Sequence, residues 1–483
     1  MARRSLNLSN SPASVAASAR WPAFVALVLL LVCLAIQYPG RINADALTQL
    51  EQIGASHYDD WHPPIMAALW AALLNVVPPG SQGVLPPVLA QTVGTWIGLG
   101  LIASTLARRG RPRSAWAVLL CGLSPHMLRF MDTPWSDSQL TAAMLMAFGL
   151  GYWGRYGQPR RARWCIGLAL VFLLYATLVR ANAAFAYGAI LLFLFRPRLS
   201  LFRLAIASVV LALVAIPVSM GINRVLFSPS PSGVQRSLQL FDIMGTARQS
   251  DDYGIANRLT PRDPAYLRGC HTAYYWDRYA SWGTCSPVWE DVKQAEAASP
   301  GLVTHAWIDS MIDHPLAYLT HRLKYFNSML YFIVPADPYR FADPDDLRRQ
   351  SPEAQAPSMT WIIKDTLKRL PTLPILWLMI VAALLTLFAQ GRLHSTFGGA
   401  EQSLLVSAGL YALAFLGVGV ATDMRYHMWP ITAAAIASIM LAPQLRTLLV
   451  HGDRSLRLWI ASIVGCAVVA IIARLSDDPA LLF

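Results

Sequence analysis

Acids and arginines that could act together fall in four short polar stretches of this sequence. Residues 39–64, PGRINADALTQLEQIGASHYDDWHPP, hold Asp45, Glu51, His57, Asp59, Asp60 and His62. DTPWSD supplies Asp132 and Asp137, LVRAN supplies Arg180 and Asn182, and DMRYHMWP supplies Arg425, Tyr426 and His427. A carboxylate beside a hydroxyl can act as general base, and a second one can orient the hydroxyl or ligate a divalent metal. An arginine fork suits the oxygens of phosphate or pyrophosphate. Plainer readings stand beside these. The acids of 39–64 fit an ordinary hydrated loop, Asp137 fits a cap for the helix SDSQLTAAML, and Asp132 fits a solvated turn. Arg180 and Arg425 fit ion pairs with those acids, and Arg129 is a weaker candidate of the same kind.

Other chemistries lack their signatures. The sequence has no GxGxxG, P-loop or nucleophile elbow, so no nucleotide cofactor is expected. His305, His314 and His321 do not follow a HExxH pattern and no CxxC occurs. The cofactor is left open, with Asp45 and Asp137 as the candidate ligands of a divalent metal. Cys33, Cys121, Cys165 and Cys466 lie in apolar runs and read as packing residues. Cys270 and Cys285 share a polar stretch, where they form a disulfide or remain free thiols.

The elements that must position these residues are membrane helices. Of 483 residues, 55% are hydrophobic and 14% charged, against about 25% charged in soluble domains. The net charge of +12 is spread as short Arg clusters between apolar runs, which sets nucleic-acid binding aside and reads as a topology signal. Eleven runs are candidate spans: Trp21–Tyr38, Val84–Ala107, Ser114–Met131, Ser138–Tyr156, Cys165–Val179, Ala183–Phe195, Leu204–Phe227, Thr372–Ala389, Ser403–Ala421, Met428–Leu445 and Leu458–Leu475. The proline-bracketed run Pro63–Pro79 is short for a span. Treating it as an interfacial helix puts RRGRPR, RRAR, RPRLSLFR, Arg392 and Arg446/Arg454/Arg457 on the same side as Arg3/Arg4/Arg20. That side is cytoplasmic by the positive-inside rule. The expected organisation is a cytoplasmic tail over 1–20, an N-terminal membrane module over 21–227 with an outer loop at 39–83, an outer polar region over 228–371, and C-terminal spans over 372–483. The outer region is expected to be of mixed structure, tied to the membrane by amphipathic helices such as Gly301–Phe332. Its DPY, DPD and HP pairs read as structural turns. All four acid- and arginine-bearing stretches then face outward.

In this order the motifs resemble the GT-C superfamily of membrane glycosyltransferases, and within it the lipid A aminoarabinose transferases and the protein O-mannosyltransferases. INADALTQL matches the early acid of the first outer loop, DWHPPIMAALW an aromatic-Pro helix, WSDSQLTAAML a helix opening with an acid, and RYHMWP a late Arg-Tyr-x-x-x-Pro. HPLAYLTHRLKYF is similar to a segment of uncharacterised bacterial members. The resemblance covers the first half of the chain and the late motif. It implies an all-α, GT-C-like fold in a bacterial cytoplasmic membrane. It implies an inverting enzyme that moves a sugar from a polyprenyl-phosphate donor to a lipopolysaccharide, another glycan or lipid, or a protein. Asp45 would be the catalytic base and Asp137 the second acid. Arg180 and Arg425 would hold the donor phosphate, with Asp59, Asp60, His62, Asn182 and Tyr426 completing the substrate site. His62-Pro63 stands where the aminoarabinose enzymes carry Glu-Lys-Pro, so the sugar is not specified. The alternatives are a transporter or flippase for a lipid-linked glycan, and a non-catalytic membrane scaffold.

Overall fold

Long apolar runs satisfy their backbone groups internally by forming helices, the solution that hydrocarbon demands of a segment crossing it. The structure, a computed structural model, describes residues 21–75, 84–157, 159–195, 199–336, 373–476 and 478. The expected tail at 1–20, the end of the run at Pro78–Pro79 and the DPY and DPD pairs lie outside these residues.

Among the described residues every regular element is a helix. The N-terminal half contains α1 (Trp21–Gln37), α2 (Ala44–Ala55), α3 (Pro64–Leu74), α4 (Leu85–Arg108), α5 (Pro112–Cys121), α6 (Pro125–Phe130), α7 (Ser136–Tyr152), α8 (Ala162–Val179), α9 (Ala184–Phe195) and α10 (Leu201–Phe227). A polar subdomain follows, with α11 (Gln235–Ser250), α12 (Ser286–Ala298), α13 (Leu302–Asp313) and α14 (Pro315–Met329). The chain closes with α15 (Pro374–Ala389), α16 (Ala400–Val418), α17 (Met428–Val450) and α18 (Arg454–Arg474). Among the described residues six segments are long and apolar enough to cross a membrane: α4, α8, α10, α16, Met424–Val450 and α18. The chain is thus a multi-helix membrane protein. Helices α10 and α18 leave much of their apolar surface on the outside of the bundle, with Phe202 75% and Ile472 60% exposed. That is the surface hydrocarbon would cover.

Two expected helices are broken, each at a proline. The span expected over Ser114–Met131 is two helices, α5 and α6, because Pro125 lacks an N–H and opens a new helix. The amphipathic helix expected over Gly301–Phe332 divides in the same way at His314-Pro315. The polar region, expected to be of mixed structure, is described over 228–336. Among its described residues the regular elements are helices, and its extended contacts are the isolated bridges Asp59–Ser230 and Tyr275–Ala421.

Helix α7 lies at the centre, with almost every residue buried. Its contact with α4 is set by two glycines. A Cβ on Gly98 would sit 2.6 Å from the Leu145 carbonyl carbon, and one on Gly149 would sit 2.7 Å from the Gly98 oxygen. Small residues let two membrane helices approach backbone to backbone and gain dispersion energy, where lipid offers no hydrophobic drive between helices. This packing fixes the start of α7, and Asp137 with it, at the polar end of the bundle.

In the polar subdomain Cys270 and Cys285 are joined by a disulfide. The bridge spans a sequence separation of 15, and closing such a loop contributes about 3 kcal/mol in the chain-entropy account. Peptide mapping without reductant should recover the two cysteines linked. A variant with both replaced by Ser should lose about that much stability; an unchanged unfolding transition would show that the bridge contributes nothing.

Candidate functional site

Asp45 sits in the first turn of α2, which starts there because the Asn43 side chain accepts from the Ala46 N–H at 2.8 Å. The preceding backbone is tied to the second acidic stretch, since the Arg41 N–H donates to the Asp132 carbonyl at 2.8 Å. Asp132 is not the solvated residue its loop suggests. It is fully buried and accepts from the Thr133 hydroxyl at 3.0 Å. Nor does Asp137 act as the helix cap. The cap position of α7 is Trp135, and Asp137 points into a cluster of cations.

Asp137 is the floor of that cluster, its side chain 2% exposed. Its Oδ2 accepts from Arg180 Nη1 at 2.7 Å and lies 3.5 Å from Arg425 Nε. Arg180 leaves α8 in an extended conformation, which turns its side chain across the start of α7. There it also donates to Ser136 Oγ at 3.2 Å and to Asn182 Oδ1 at 2.9 Å. Arg425 lies in the 3-10 turn Met424–His427. Its Nη1 donates to Asp45 Oδ2 at 3.2 Å, its Nε lies 3.1 Å from Asp423 Oδ2, and its guanidinium lies 3.8 Å above the Trp135 ring. Tyr426 stacks on Phe415 with ring centroids 5.1 Å apart, and Arg180 lies over its face at 4.5 Å. Exposure rises from this floor to the mouth, where Asp45 is 35% and Asp423 36% exposed. Three carboxylates therefore surround two guanidiniums, with Asp45 and Asp423 the more exposed pair on Arg425 and Asp137 the buried one.

His62 is half-buried beside this mouth. Burial holds its imidazole below the usual range, against the opposing pull of Asp45, so it is neutral at neutral pH. Asp59 and Asp60 are engaged elsewhere. Asp59 Oδ1 accepts from the Trp61 N–H at 3.0 Å, and Asp60 Oδ1 accepts from the N–H and hydroxyl of Ser232 at 2.6 and 2.5 Å. Asp59 thus closes a turn within this loop, and Asp60 ties the loop to the start of the polar subdomain. Arg129 lies over the Phe130 ring at 5.2 Å, outside the cluster. His427 contacts the Met329 carbonyl at 2.9 Å, and His321 faces Asp242 at 3.2 Å. Among the described residues no group of three or more His, Cys, Asp or Glu side chains could hold a metal ion. Asp45 and Asp137 instead share the Arg425 cation.

Two participants do not stand out in the sequence. Asp423 stands two residues before Arg425, and its side chain accepts from the Arg425 N–H at 3.0 Å, an Asx turn that orients the arginine. Trp135 lies inside DTPWSD, and its ring supports the guanidinium. An Asp two residues before an Arg was the legible signal for the first; nothing local marked the second.

Fold and site define a helical membrane protein with a half-open carboxylate–guanidinium centre at the polar end of its bundle. Compared with protein-family models, curated proteins and solved structures, the chain matches none.

Proposed function

We propose that this chain is a GT-C-type glycosyltransferase that takes a sugar from a polyprenyl-phosphate donor and passes it to a glycan, lipid or protein acceptor. The observation that carries this reading is the meeting of Asp45, Asp137, Arg180 and Arg425, from four distant stretches, at one half-open centre. In the proposed reaction the donor phosphate replaces Asp45 and Asp423 on Arg425 and gains Arg180 as a second partner. Asp137 stays beneath both arginines and keeps them oriented. Asp45, released from Arg425, takes the proton of the acceptor hydroxyl. The acceptor oxygen bonds to the anomeric carbon as the bond from that carbon to the phosphate oxygen breaks, and the electron pair leaves on the phosphate. The two guanidiniums stabilise that growing charge.

The topology that accompanies this proposal has eleven spans in a bacterial cytoplasmic membrane, the N-terminus inside, and the centre on the outer face. Reporter fusions after Arg113 are expected to read cytoplasmic and those after Ser250 extracytoplasmic. The reverse pattern would invert the proposed sidedness.

The test of function compares surface glycans and glycolipids by mass in cells lacking the gene, cells complemented with wild type, and cells complemented with Asp45→Asn at equal membrane levels. A sugar-sized mass should vanish in the first, return in the second and stay absent in the third. Full restoration by Asp45→Asn would remove the base and put the transporter and scaffold readings ahead.

A further inference from the structure

Between the end of α16 at Val418 and the turn that carries Arg425, the chain runs through Gly419–Thr422 without a helix of its own. Backbone carbonyls in such a stretch need outside partners wherever water is excluded. Here four successive carbonyls are met in turn. Gly419 accepts from Arg322 Nη1 at 2.7 Å, Val420 from the Trp276 N–H at 2.8 Å, Ala421 from the Tyr325 hydroxyl at 2.9 Å, and Thr422 from the Tyr331 hydroxyl at 3.4 Å. All four donors belong to the polar subdomain or the residues just after α14. The approach is close: a Cβ on Gly419 would lie 2.1 Å from the Tyr325 hydroxyl oxygen.

Behind the first donor stands a buried carboxylate. Asp242 on α11 is fully buried and pairs with Arg322 Nη2, accepts from Trp307 Nε1 at 2.7 Å, and faces His321 Nε2 at 3.2 Å. Three helices, α11, α13 and α14, are thereby locked to one charge, and Arg322 carries that order to the Gly419 carbonyl. A buried guanidinium held by a buried acid has little freedom to swing, so its remaining N–H points in a fixed direction.

We infer that Asp242, Arg322 and Tyr325 are positioning residues: through Gly419–Thr422 the polar subdomain sets the register in which Arg425 reaches Asp45 and Asp137. The clamp acts on the cation of the centre, so the subdomain tunes the grip on an anionic ligand from outside the site. The ligand rests on the glycosyltransferase reading; the register does not.

The test uses the full-length protein in lipid nanodiscs, with Arg322→Gln, Asp242→Asn and the milder Tyr325→Phe. Amide exchange is followed along the chain, and binding of a long-chain polyprenyl phosphate is measured. Peptides covering 419–427 should exchange about tenfold faster in Arg322→Gln and Asp242→Asn, and several-fold faster in Tyr325→Phe, the scale of one lost hydrogen bond. Peptides of α12 should keep their protection. Polyprenyl phosphate should bind about tenfold more weakly to Arg322→Gln, with no further loss when Arg322→Gln is added to Arg425→Gln. Unchanged exchange over 419–427 in all three variants would overturn the inference. So would additive losses with Arg425→Gln, or a loss of protection spread evenly over the subdomain with Tyr325→Phe silent. If wild type binds no polyprenyl phosphate, the glycosyltransferase reading fails, and the exchange measurements alone decide the clamp.

Discussion

If the chain transfers sugar as proposed, Asp45→Asn should lower the rate by about two to four orders of magnitude, the range a general base supplies, while leaving the unfolding transition almost unmoved. The two halves of this expectation come from the same geometry. Asp45 is 35% exposed, and its cationic partner is Arg425 at 3.2 Å. An ion pair this open to solvent contributes about 0–1 kcal/mol. The amide keeps the size and shape of the acid, and the α2 cap belongs to Asn43, so the helix start is untouched. What the amide lacks is the capacity to accept a proton. The check is initial-rate transfer by purified protein in nanodiscs, beside chemical unfolding in mixed micelles. Transfer within threefold of wild type would remove Asp45 from the reaction. A large fall in stability would assign it a structural role instead.

Asp137→Ala should give the opposite signature, with stability falling along with activity. This carboxylate is 2% exposed and lies between Arg180 and Arg425. Its removal leaves two guanidiniums facing one another over a floor with no counter-charge. Deleting one partner of a buried charge pair costs about 3–5 kcal/mol. The same change frees both arginines to swing toward Asp45 and Asp423, so the donor phosphate of the proposed reaction would meet a disordered grip. Asp137→Asn should be milder, because an amide oxygen still accepts one guanidinium N–H. Adding Arg180→Ala to Asp137→Ala should recover part of the stability and none of the transfer. Unfolding of the four proteins, followed by tryptophan emission and by transfer rate, separates these effects. Asp137→Ala with wild-type stability would show that water reaches the floor and that Asp137 is not the element ordering the two arginines.

The legible part of the site was its membership. Asp45, Asp137, Arg180, Asn182, Arg425 and Tyr426 sit in polar stretches that interrupt apolar runs, and such residues stand out in a chain only 14% charged. The structure brings these six to one centre, with His62 at its edge. Asp59 and Asp60 stand out equally, yet they serve Trp61 and Ser232. Residue type and exposure to a polar loop cannot tell a ligand-facing carboxylate from one that closes a turn.

Helical character, the start of α2 and the apolar nature of the long helices were determined by the sequence itself, because capping, proline chemistry and burial of apolar runs act over a few neighbouring residues. The break at Pro125, which the run of apolar residues hides, and the one at Pro315, where the HP pair reads as a turn, both have local causes. Partnership was decided only in the tertiary structure. Arg180 reaches Asp137 across 43 residues and Arg425 reaches Asp45 across 380. Those meetings depend on how closely α4 and α7 approach at Gly98 and Gly149, and on the carbonyls of 419–422 finding donors in a separate subdomain. Packing of whole helices sets such distances, and no short stretch of sequence contains them.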